Sequence, residues 1–354
     1  RLAEAGPRDF YTGDIARSIV SGLEDLGAIL TLEDFAQYRA RVLLPQRSEY
    51  RDTVVCVPPF ACAGPTTLAT LNIYKHFDVA HLEHESAERL HVFICAARLA
   101  RADRMSFMAD PSKVEVPWDG LASEAYGLER AGQIDIGTMP HEFAAGNPWR
   151  HQALGGGTLP ATREGPEGST THLCAADKDG NMVSLTNTIM AGFGSGVVPR
   201  GTGIVMNNGM MWFNPEPDYP NSVSPWAKPL NNMTPTIVLR DGQPILAIGA
   251  TGGRRITNAV CQIISNVVDH KMAIQGAISA PRVDCCTAIT DIDDRYPPSV
   301  LDDLRSYGHT VNPLRQSFRA GFGLFASPTG IFRPSDGTYR GGVDPFHSAV
   351  ARGV

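Results

Sequence analysis

The feature that most constrains this chain is a segment suited to neither a core helix nor a core strand. Residues 155–169 hold five glycines, two prolines and almost no apolar side chains. This composition predicts a flexible linker. The linker separates two parts of different character, residues 1–169 and residues 170–354.

The part before the linker is predicted to be mostly helical. Ile15 and Ile19 recur at helical spacing, and Gly27 follows as the expected C-cap. Residues 31–34 have the spacing of a capping box. Residues 86–105 place their apolar side chains on one face, which predicts an amphipathic surface helix.

The part after the linker is predicted to be rich in strands. Short apolar runs at residues 171–176 and 182–188 flank an Asp-Gly turn, and so do the runs at residues 236–239 and 244–248. Each pattern predicts a β-hairpin. A helix is predicted over residues 255–270. Strands followed by packed helices favour a layered α/β protein.

The bulk composition argues against several functional classes. The net charge of −6 is spread along the chain, so no basic surface for a nucleic acid is expected. No apolar stretch approaches the length of a membrane span, so no membrane is expected as a partner. Neither a Walker A loop nor a GxGxxG sequence occurs, and we expect no cofactor.

The cysteines bear on the cellular compartment. There are seven: Cys56, Cys62, Cys95, Cys174, Cys261, Cys285 and Cys286. An odd number without a CxxC pair predicts buried free thiols, which favours a reducing, cytoplasmic compartment. The sequence opens on Arg1 without a signal peptide, so a periplasmic location stays open if such a peptide belongs to the protein.

One histidine-rich segment is superficially similar to a metal site. His81, His84 and Glu88 lie close together, but Glu88 stands where an HExxH zinc motif has its second histidine. The segment is better explained as a solvated helix start. A metallohydrolase built on these residues is the lowest-ranked alternative, and no metal is expected.

A hydroxyl side chain stands where the linker meets the first strand. A Thr or Ser there is common, but Thr170 can also act chemically. Attack of its Oγ on the Ser169 carbonyl converts the peptide bond to an ester, and hydrolysis leaves Thr170 as a new N-terminus. Its α-amine, with a pKa of ~7.7–8.0, can then take the hydroxyl proton.

Two adjacent glycines follow the second hairpin. Gly252 and Gly253 lie between an apolar strand and the predicted helix. They form either a tight strand-to-helix turn or an oxyanion hole, because unobstructed backbone N–H groups at a helix N-terminus bind developing negative charge.

A series of short motifs also occurs in one order along the chain. The motifs are at residues 10–16, 30–35, 100–104, 170–172, 177–181, 229–236, 249–253, 336–337 and 342–345. Together they resemble the γ-glutamyltranspeptidase family of N-terminal-nucleophile hydrolases. The resemblance implies an α+β fold, the αββα four-layer sandwich. Residues 1–169 would be the C-terminal part of the large subunit and residues 170–354 the small subunit.

The resemblance implies roles for single residues. Thr170 would be the nucleophile, and Ser169–Thr170 the processing site. Thr188 would hydrogen-bond near the Thr170 hydroxyl or amine, and Gly252 and Gly253 would form the oxyanion hole.

The resemblance also implies a reaction. An autoprocessed heterodimer of the two cleaved subunits would act on a small-molecule amide through an acyl-enzyme, which water or an amine resolves. Asn231 and Asn232 stand where the family usually has two serines that bind the substrate α-carboxylate. An earlier part of the large subunit is expected to supply an Arg to the same carboxylate.

The acyl-binding positions depart from the family pattern. Gly209, Trp212 and Met190 replace a Gln, an Asp and an Asn. The Asp normally pairs with the α-ammonium of a γ-glutamyl group, and a buried ammonium without its carboxylate is costly. Either Glu216 or Asp218 substitutes, or the pocket accepts an acyl group without an ammonium.

Three functions therefore remain open. The first is a γ-glutamyltransferase or glutathione hydrolase-like enzyme. The second is an acylase acting on another amide, such as a dicarboxylic monoamide or an acylated β-lactam nucleus. The third is a non-catalytic relative that keeps the fold but lacks a complete pocket.

Overall fold

A computed structural model describes residues 1–153, 155–156, 169–318 and 323–353. Most of the predicted linker lies outside the described residues. The chain divides into a smaller unit of residues 1–43 and 188–209 and a larger unit of residues 44–187 and 210–354. Among the described residues, no helix combines the length and apolar composition that spanning a membrane requires.

The smaller unit begins with four short helices. They are α1 (Leu2–Ala5), α2 (Asp9–Thr12), α3 (Asp14–Glu24) and α4 (Leu32–Gln37). Helix α3 confirms the predicted helix and buries Ile19 and Leu23, whereas Ile15 is only partly buried. The predicted capping box opens α4, because Thr31 Oγ1 accepts from Asp34 N and Asp34 accepts in return from Thr31 N. Gly27 has a φ of 78° beyond the end of α3, as expected of a C-terminal glycine.

The larger unit contains the remaining helices and the sheets. Its helices are α5 (Gly64–Tyr74), α6 (Ala87–Phe107), α7 (Trp118–Ala122), α8 (Glu124–Ala131), α9 (Ile256–Val268), α10 (Ile274–Ser279) and α11 (Pro298–Ser306). Its strands are β1 (Gln46–Tyr50), β2 (Thr53–Val57), β3 (Ser169–Ala176), β4 (Met182–Met190, to Asn187 in this unit), β5 (Thr236–Arg240), β6 (Gln243–Thr251), β7 (Val283–Asp284), β8 (Thr290–Asp293), β9 (Val311–Leu314), β10 (Ser327–Phe332) and β11 (Arg340–Val343).

The strands form three sheets. The largest has six strands in the order β1-β2-β5-β6-β10-β11, with every neighbouring pair antiparallel. Strands β3 and β4 form a second sheet, and β7, β8 and β9 form a third. Both predicted hairpins, β3–β4 and β5–β6, are therefore confirmed, as is the helix α9. The β1–β2 hairpin lies in the part predicted to be mostly helical, and the sequence analysis missed it.

Helix α6 departs from its predicted environment. It was expected to be an amphipathic surface helix, but most of its residues are buried, including Arg89 and Arg98. The Arg89 guanidinium donates to Asn266 Oδ1 at 2.7 Å, and Arg98 donates to Thr290 Oγ1 at 3.0 Å. The prediction was wrong because these charged side chains find partners far away in sequence, which allows their burial.

The six-stranded sheet is covered on both faces. On one face of strand β6, Leu246, Ile248 and Ala250 pack in a hydrophobic core that also contains residues of α5, α6 and α9. Its opposite face packs against β3, since side chains alternate along a strand. The larger unit thus has a helix–sheet–sheet order of layers.

The interface between β3–β4 and the large sheet is lined by polar side chains. His172 is 8% exposed, and its Nδ1 lies 2.9 Å from Thr186 Oγ1. Its Nε2 lies 3.3 Å from Cys174 Sγ and 3.4 Å from Ser184 Oγ. Ser184 Oγ also donates to Ile248 O and accepts from Thr236 N. These bonds anchor the hairpin because a buried polar group left without a partner is costly.

A glycine sets how closely His172 approaches the large sheet. A Cβ built at Gly249 would lie 2.2 Å from the His172 ring, so no other residue fits there without displacing the ring. Burial lowers the pKa of His172 to about 4. The imidazole is therefore neutral near pH 7.

A buried ion pair connects the end of the sheet to the helices. Arg282 lies between α10 and β7, and its Nη2 is 2.8 Å from Asp344 Oδ2, just after β11. Both side chains are at most 1% exposed. Arg282 also donates to the carbonyls of Ile278 and Phe325. The guanidinium thus has protein partners in place of water.

We expect His172→Gln to flatten the pH dependence of stability. Between the folded pKa of about 4 and the unfolded value of about 6.5, only the unfolded chain binds this proton. Stability from neutral His172 is present above pH ~6.5 and is lost as pH falls towards 4, by ~3 kcal/mol in total. Denaturant unfolding across this range measures the slope. The exposed substitution His141→Gln should keep the wild-type slope, and an unchanged slope in His172→Gln would contradict the assignment.

We expect Asp344→Ala to destabilise the chain strongly. Removing one partner of a buried ion pair leaves an uncompensated charge and costs ~3–5 kcal/mol. Asp302→Ala breaks the exposed pair with Arg305 and should cost ~0–1 kcal/mol. Urea unfolding of both variants gives the comparison. Equal losses would show that burial of the Arg282 pair is not what matters.

Candidate active site

Thr170 lies on the inner face of β3 and lines a cavity. It is half-buried and precedes His172 by two residues, so both side chains point to the same face. The cavity has a volume of about 860 Å³. Thr170, Thr251 and Ser327 line it, and the C-terminal residues 347–353 line it as well. This volume lies within the usual range for a small-molecule site.

The predicted turn at Gly252 and Gly253 is present. It follows β6 directly, with φ angles of 135° and 61°, and leads through a short 3₁₀ turn into α9. A Cβ at Gly252 would lie 2.7 Å from Ala326 Cα. Both the left-handed backbone and the close neighbour therefore require glycine at this position. The turn thus places the two glycine amides directly before a helix.

Asn231 and Asn232 are held by one buried arginine. Arg104 of α6 donates to Asn231 O at 2.8 Å and to Asn232 Oδ1 at 3.1 Å. The Asn231 side chain donates to Ala61 O and accepts from Met233 N, so it fastens two backbone segments together. In Asn232 the carbonyl oxygen is occupied by Arg104, which orients its Nδ2 as a donor.

A narrow basic cleft adjoins Asn232. Arg101, Arg254 and Cys286 line it together with Asn232, and Arg254 directly follows Gly253 in the chain. The sequence analysis did not single out these arginines. The sequence did offer a signal for Arg254, because it is the first residue with a side chain after the two glycines of the turn.

A buried asparagine connects Trp212 to the segment that carries Asn231. Asn221 is 3% exposed. Its Nδ2 donates to Trp212 O at 2.7 Å, and its Oδ1 accepts from Leu230 N at 2.9 Å. The structure therefore joins these two predicted substrate-binding positions through one amide group, although they are far apart in sequence.

The other predicted site residues lie in the smaller unit. Thr188 Oγ1 accepts from Met190 N at 2.9 Å. Met190 is fully buried and has a φ of 77°, which is rare for a residue with a side chain. Gly209 N donates to Asn207 Oδ1 at 2.9 Å. Thr188 is thus engaged with the turn that ends β4.

The metal-like histidines do not act together. His81 is exposed and its Nδ1 lies 2.7 Å from Asp78 Oδ1, whereas His84 Nε2 lies 2.9 Å from Asn266 Oδ1. Glu88 is exposed on α6. The three side chains therefore do not share a ligand site in this structure.

The sequence analysis missed the polar interface that holds β3. His172, Ser184 and Thr186 occupy every second position of their strands, facing the large sheet. Polar residues at alternate positions of an otherwise apolar hairpin were the available signal.

Comparison with known proteins gives relatives over the whole chain. The family described as Gamma-glutamyltranspeptidase matches residues 1–353. The chain is 32% identical over 351 residues to the glutathione hydrolase proenzyme of Escherichia coli strain K12, covering 95% of this chain and 58% of that protein. It is also 32% identical over 311 residues to the acylase ACY 1 proenzyme of Pseudomonas sp. strain SE83, covering 88% of this chain and 53% of that protein.

The comparison of structures agrees with the sequence comparison. The crystal structure of cephalosporin acylase from Bacillus halodurans is similar with a TM-score of 0.86 and 29% identity, covering 100% of this chain and 61% of that one. The predicted α+β fold of N-terminal-nucleophile hydrolases is confirmed. The chain spans less than two thirds of the length of each of these relatives. It belongs to the γ-glutamyltranspeptidase family.

Proposed function

We propose that this chain is part of an autoprocessing amide hydrolase or acyltransferase whose nucleophile is Thr170. The observation that supports this most directly is the position of Thr170. It lies at the start of an anchored strand and lines a cavity of about 860 Å³, in a chain whose relatives are named proenzymes.

The first step would be cleavage between Ser169 and Thr170. Thr170 Oγ attacks the Ser169 carbonyl, the C–N bond breaks, and an ester forms. Water then hydrolyses the ester to give residues 1–169 and residues 170–354 as two subunits of a heterodimer. The glycine- and proline-rich sequence of residues 155–169 predicts a linker before the bond, which would let the new carboxyl end move away.

The second step would use the amine released by the first. The Thr170 α-amine accepts the hydroxyl proton as Oγ attacks the substrate amide. His172 is a poor candidate for this base, because its ring nitrogens face Thr186, Ser184 and Cys174. It is better suited to holding β3 in register. Thr188 would assist near the hydroxyl or amine.

Gly252 and Gly253 would stabilise the negative charge of the tetrahedral intermediate. Their amides stand before α9, where a helix N-terminus favours an anion. Collapse of the intermediate expels the amine of the substrate and leaves an ester on Thr170. Water or a second amine then resolves this acyl-enzyme, which gives hydrolysis or transfer.

The acyl group is the second part of the proposal. Asn232 and the arginines Arg101 and Arg254 surround one cleft of about 20 Å³, which has room for about one water molecule. A substrate carboxylate would therefore contact these donor groups from the edge of the cleft. Trp212 offers no carboxylate for an α-ammonium, and Met190 and Gly209 supply no side-chain hydrogen bond. A dicarboxylic monoamide or an acylated β-lactam nucleus therefore suits these positions better than a γ-glutamyl amide. Relatives named as acylases support this second candidate.

Replacement of the nucleophile tests the first part. We expect the wild-type chain to separate into residues 1–169 and 170–354 in intact-mass spectrometry. Thr170→Ala should stay uncut and lose all turnover, because neither the attacking oxygen nor the new amino-terminal threonine exists. Thr310→Ala is the matched control, since Thr310 is exposed and does not line the cavity, and it should be cut normally. An uncut wild-type chain with turnover would contradict the proposal.

A pair of substrates that differ in one group tests the acyl specificity. Glutaryl anilide is γ-glutamyl anilide without the α-ammonium. We expect the wild-type chain to favour the glutaryl compound by at least ~10-fold in kcat/KM, because burying an unpaired charge costs more than 1.4 kcal/mol. Trp212→Asp should shift the preference towards γ-glutamyl, and the exposed control Trp226→Asp should not. A wild-type preference for γ-glutamyl would support the transpeptidase candidate instead.

A further inference from the structure

The turn that we propose as the oxyanion hole is built from residues with unusual conformational freedom. Gly252 and Gly253 have φ angles of 135° and 61°, and no side chain of their own restricts them. An oxyanion donor stabilises negative charge only if its nitrogen lies within ~3 Å of the charged oxygen. The turn therefore needs contacts from other parts of the chain to hold it in one conformation.

A cysteine from a distant segment contacts the residue that follows the two glycines. Cys286 lies two residues after β7, and its Sγ donates to Arg254 O at 3.2 Å. Cys286 is 9% exposed, so water competes little for this bond. The thiol thus holds the carbonyl of the residue directly after Gly253, and this contact limits rotation of the chain at that glycine.

An asparagine in the first turn of α9 orients this thiol. Asn258 Nδ2 donates to Cys286 Sγ at 3.3 Å and to Asp284 Oδ1 at 2.8 Å. The side-chain amide nitrogen carries two hydrogens, so both bonds form at once. Because the sulfur accepts from Asn258, its own hydrogen is directed to Arg254 O. Asn258 is 5% exposed, and these bonds are therefore shielded from water.

Further contacts fasten the segment that carries Cys286 to α9. Gln262 of α9 donates from Nε2 to Val283 O at 2.9 Å and accepts at Oε1 from Val283 N at 3.0 Å. Arg255 Nε lies 3.7 Å from Asp284 Oδ2. The segment is thus anchored to the helix that follows the glycine turn, and Cys286 is its link back to the turn itself.

We propose that Cys286 and Asn258 are positioning residues for the turn at Gly252 and Gly253. They act through the carbonyl of Arg254 and not on the reacting atoms. A thiol is a weak hydrogen-bond donor, so its loss should shift the turn while costing little folding stability. The inference rests on the reaction proposed for Thr170, in which this turn stabilises the oxyanion.

Steady-state kinetics of the cut chain test the thiol. The substrate is glutaryl anilide or γ-glutamyl anilide, whichever the wild type cleaves faster, and rates are expressed per cut chain from intact-mass spectrometry. We expect Cys286→Ala to lower kcat by ~10-fold and to change KM by less than ~2-fold, because the oxyanion forms only in the transition state. Cys286→Ser keeps a donor and an acceptor, so it should recover most of kcat.

Cys261→Ala is the matched control for loss of a buried thiol. Cys261 lies on α9 and is fully buried, and its removal should leave kcat at the wild-type value. Circular dichroism verifies that each variant is folded. An equal loss of kcat in Cys261→Ala would overturn the inference, and so would a wild-type kcat in Cys286→Ala.

Asn258→Ala reaches the same link from the helix side. If Asn258 acts by orienting the thiol, this variant should also lower kcat, and the double variant with Cys286→Ala should be no slower than the slower single variant. Losses that multiply in the double variant would show that the two residues act separately, which would overturn the shared link.

The outcomes separate this inference from the proposed function. A wild-type chain that cleaves neither anilide contradicts the reaction at Thr170 and this inference with it. If the wild type is active and Cys286→Ala raises KM without lowering kcat, only the positioning role is overturned.

Discussion

The position of the proposed nucleophile depends on a polar contact between two β-sheets. Strand β3 faces the six-stranded sheet with a threonine, a histidine and a cysteine at alternate positions. An apolar interface would tolerate sliding, whereas each buried polar atom here needs a particular partner. A shift of β3 by one residue would turn His172 outward and leave Thr186 and Ser184 without it. The register of the strand, and hence the position of Thr170, follows from this constraint.

The same contact explains the glycine in the middle of β6. The His172 ring lies against the backbone at Gly249, and a Cβ there would lie 2.2 Å from the ring. Three residues further along, Gly252 adopts a φ of 135° and meets Ala326. One short stretch of chain thus allows the hairpin to approach the sheet and then forms the turn before α9. Its backbone, rather than its side chains, shapes the site.

Local sequence patterns predicted those parts of the fold whose stabilising contacts are close in sequence. The two hairpins with Asp-Gly turns, the capping box at Thr31 and the helix α9 belong to this group. The burial of α6 could not be predicted in this way, because Arg89 reaches Asn266 and Arg98 reaches Thr290. A charged residue predicts a surface position only if it has no buried partner, and a partner far away in sequence cannot be recognised from the local pattern.

The residues of the candidate site also differ in whether their contacts are local in sequence. Thr170 and the glycine pair could be proposed from sequence because the chemistry expected of them depends on backbone position and on one residue type. Trp212 and Asn231 are different, since the amide of Asn221 holds their segments together from the middle of an irregular loop. Such a loop can exchange its side chains while Asn221 preserves its shape. The acyl group that we propose can therefore differ from a γ-glutamyl group without any change in the strand that carries Thr170.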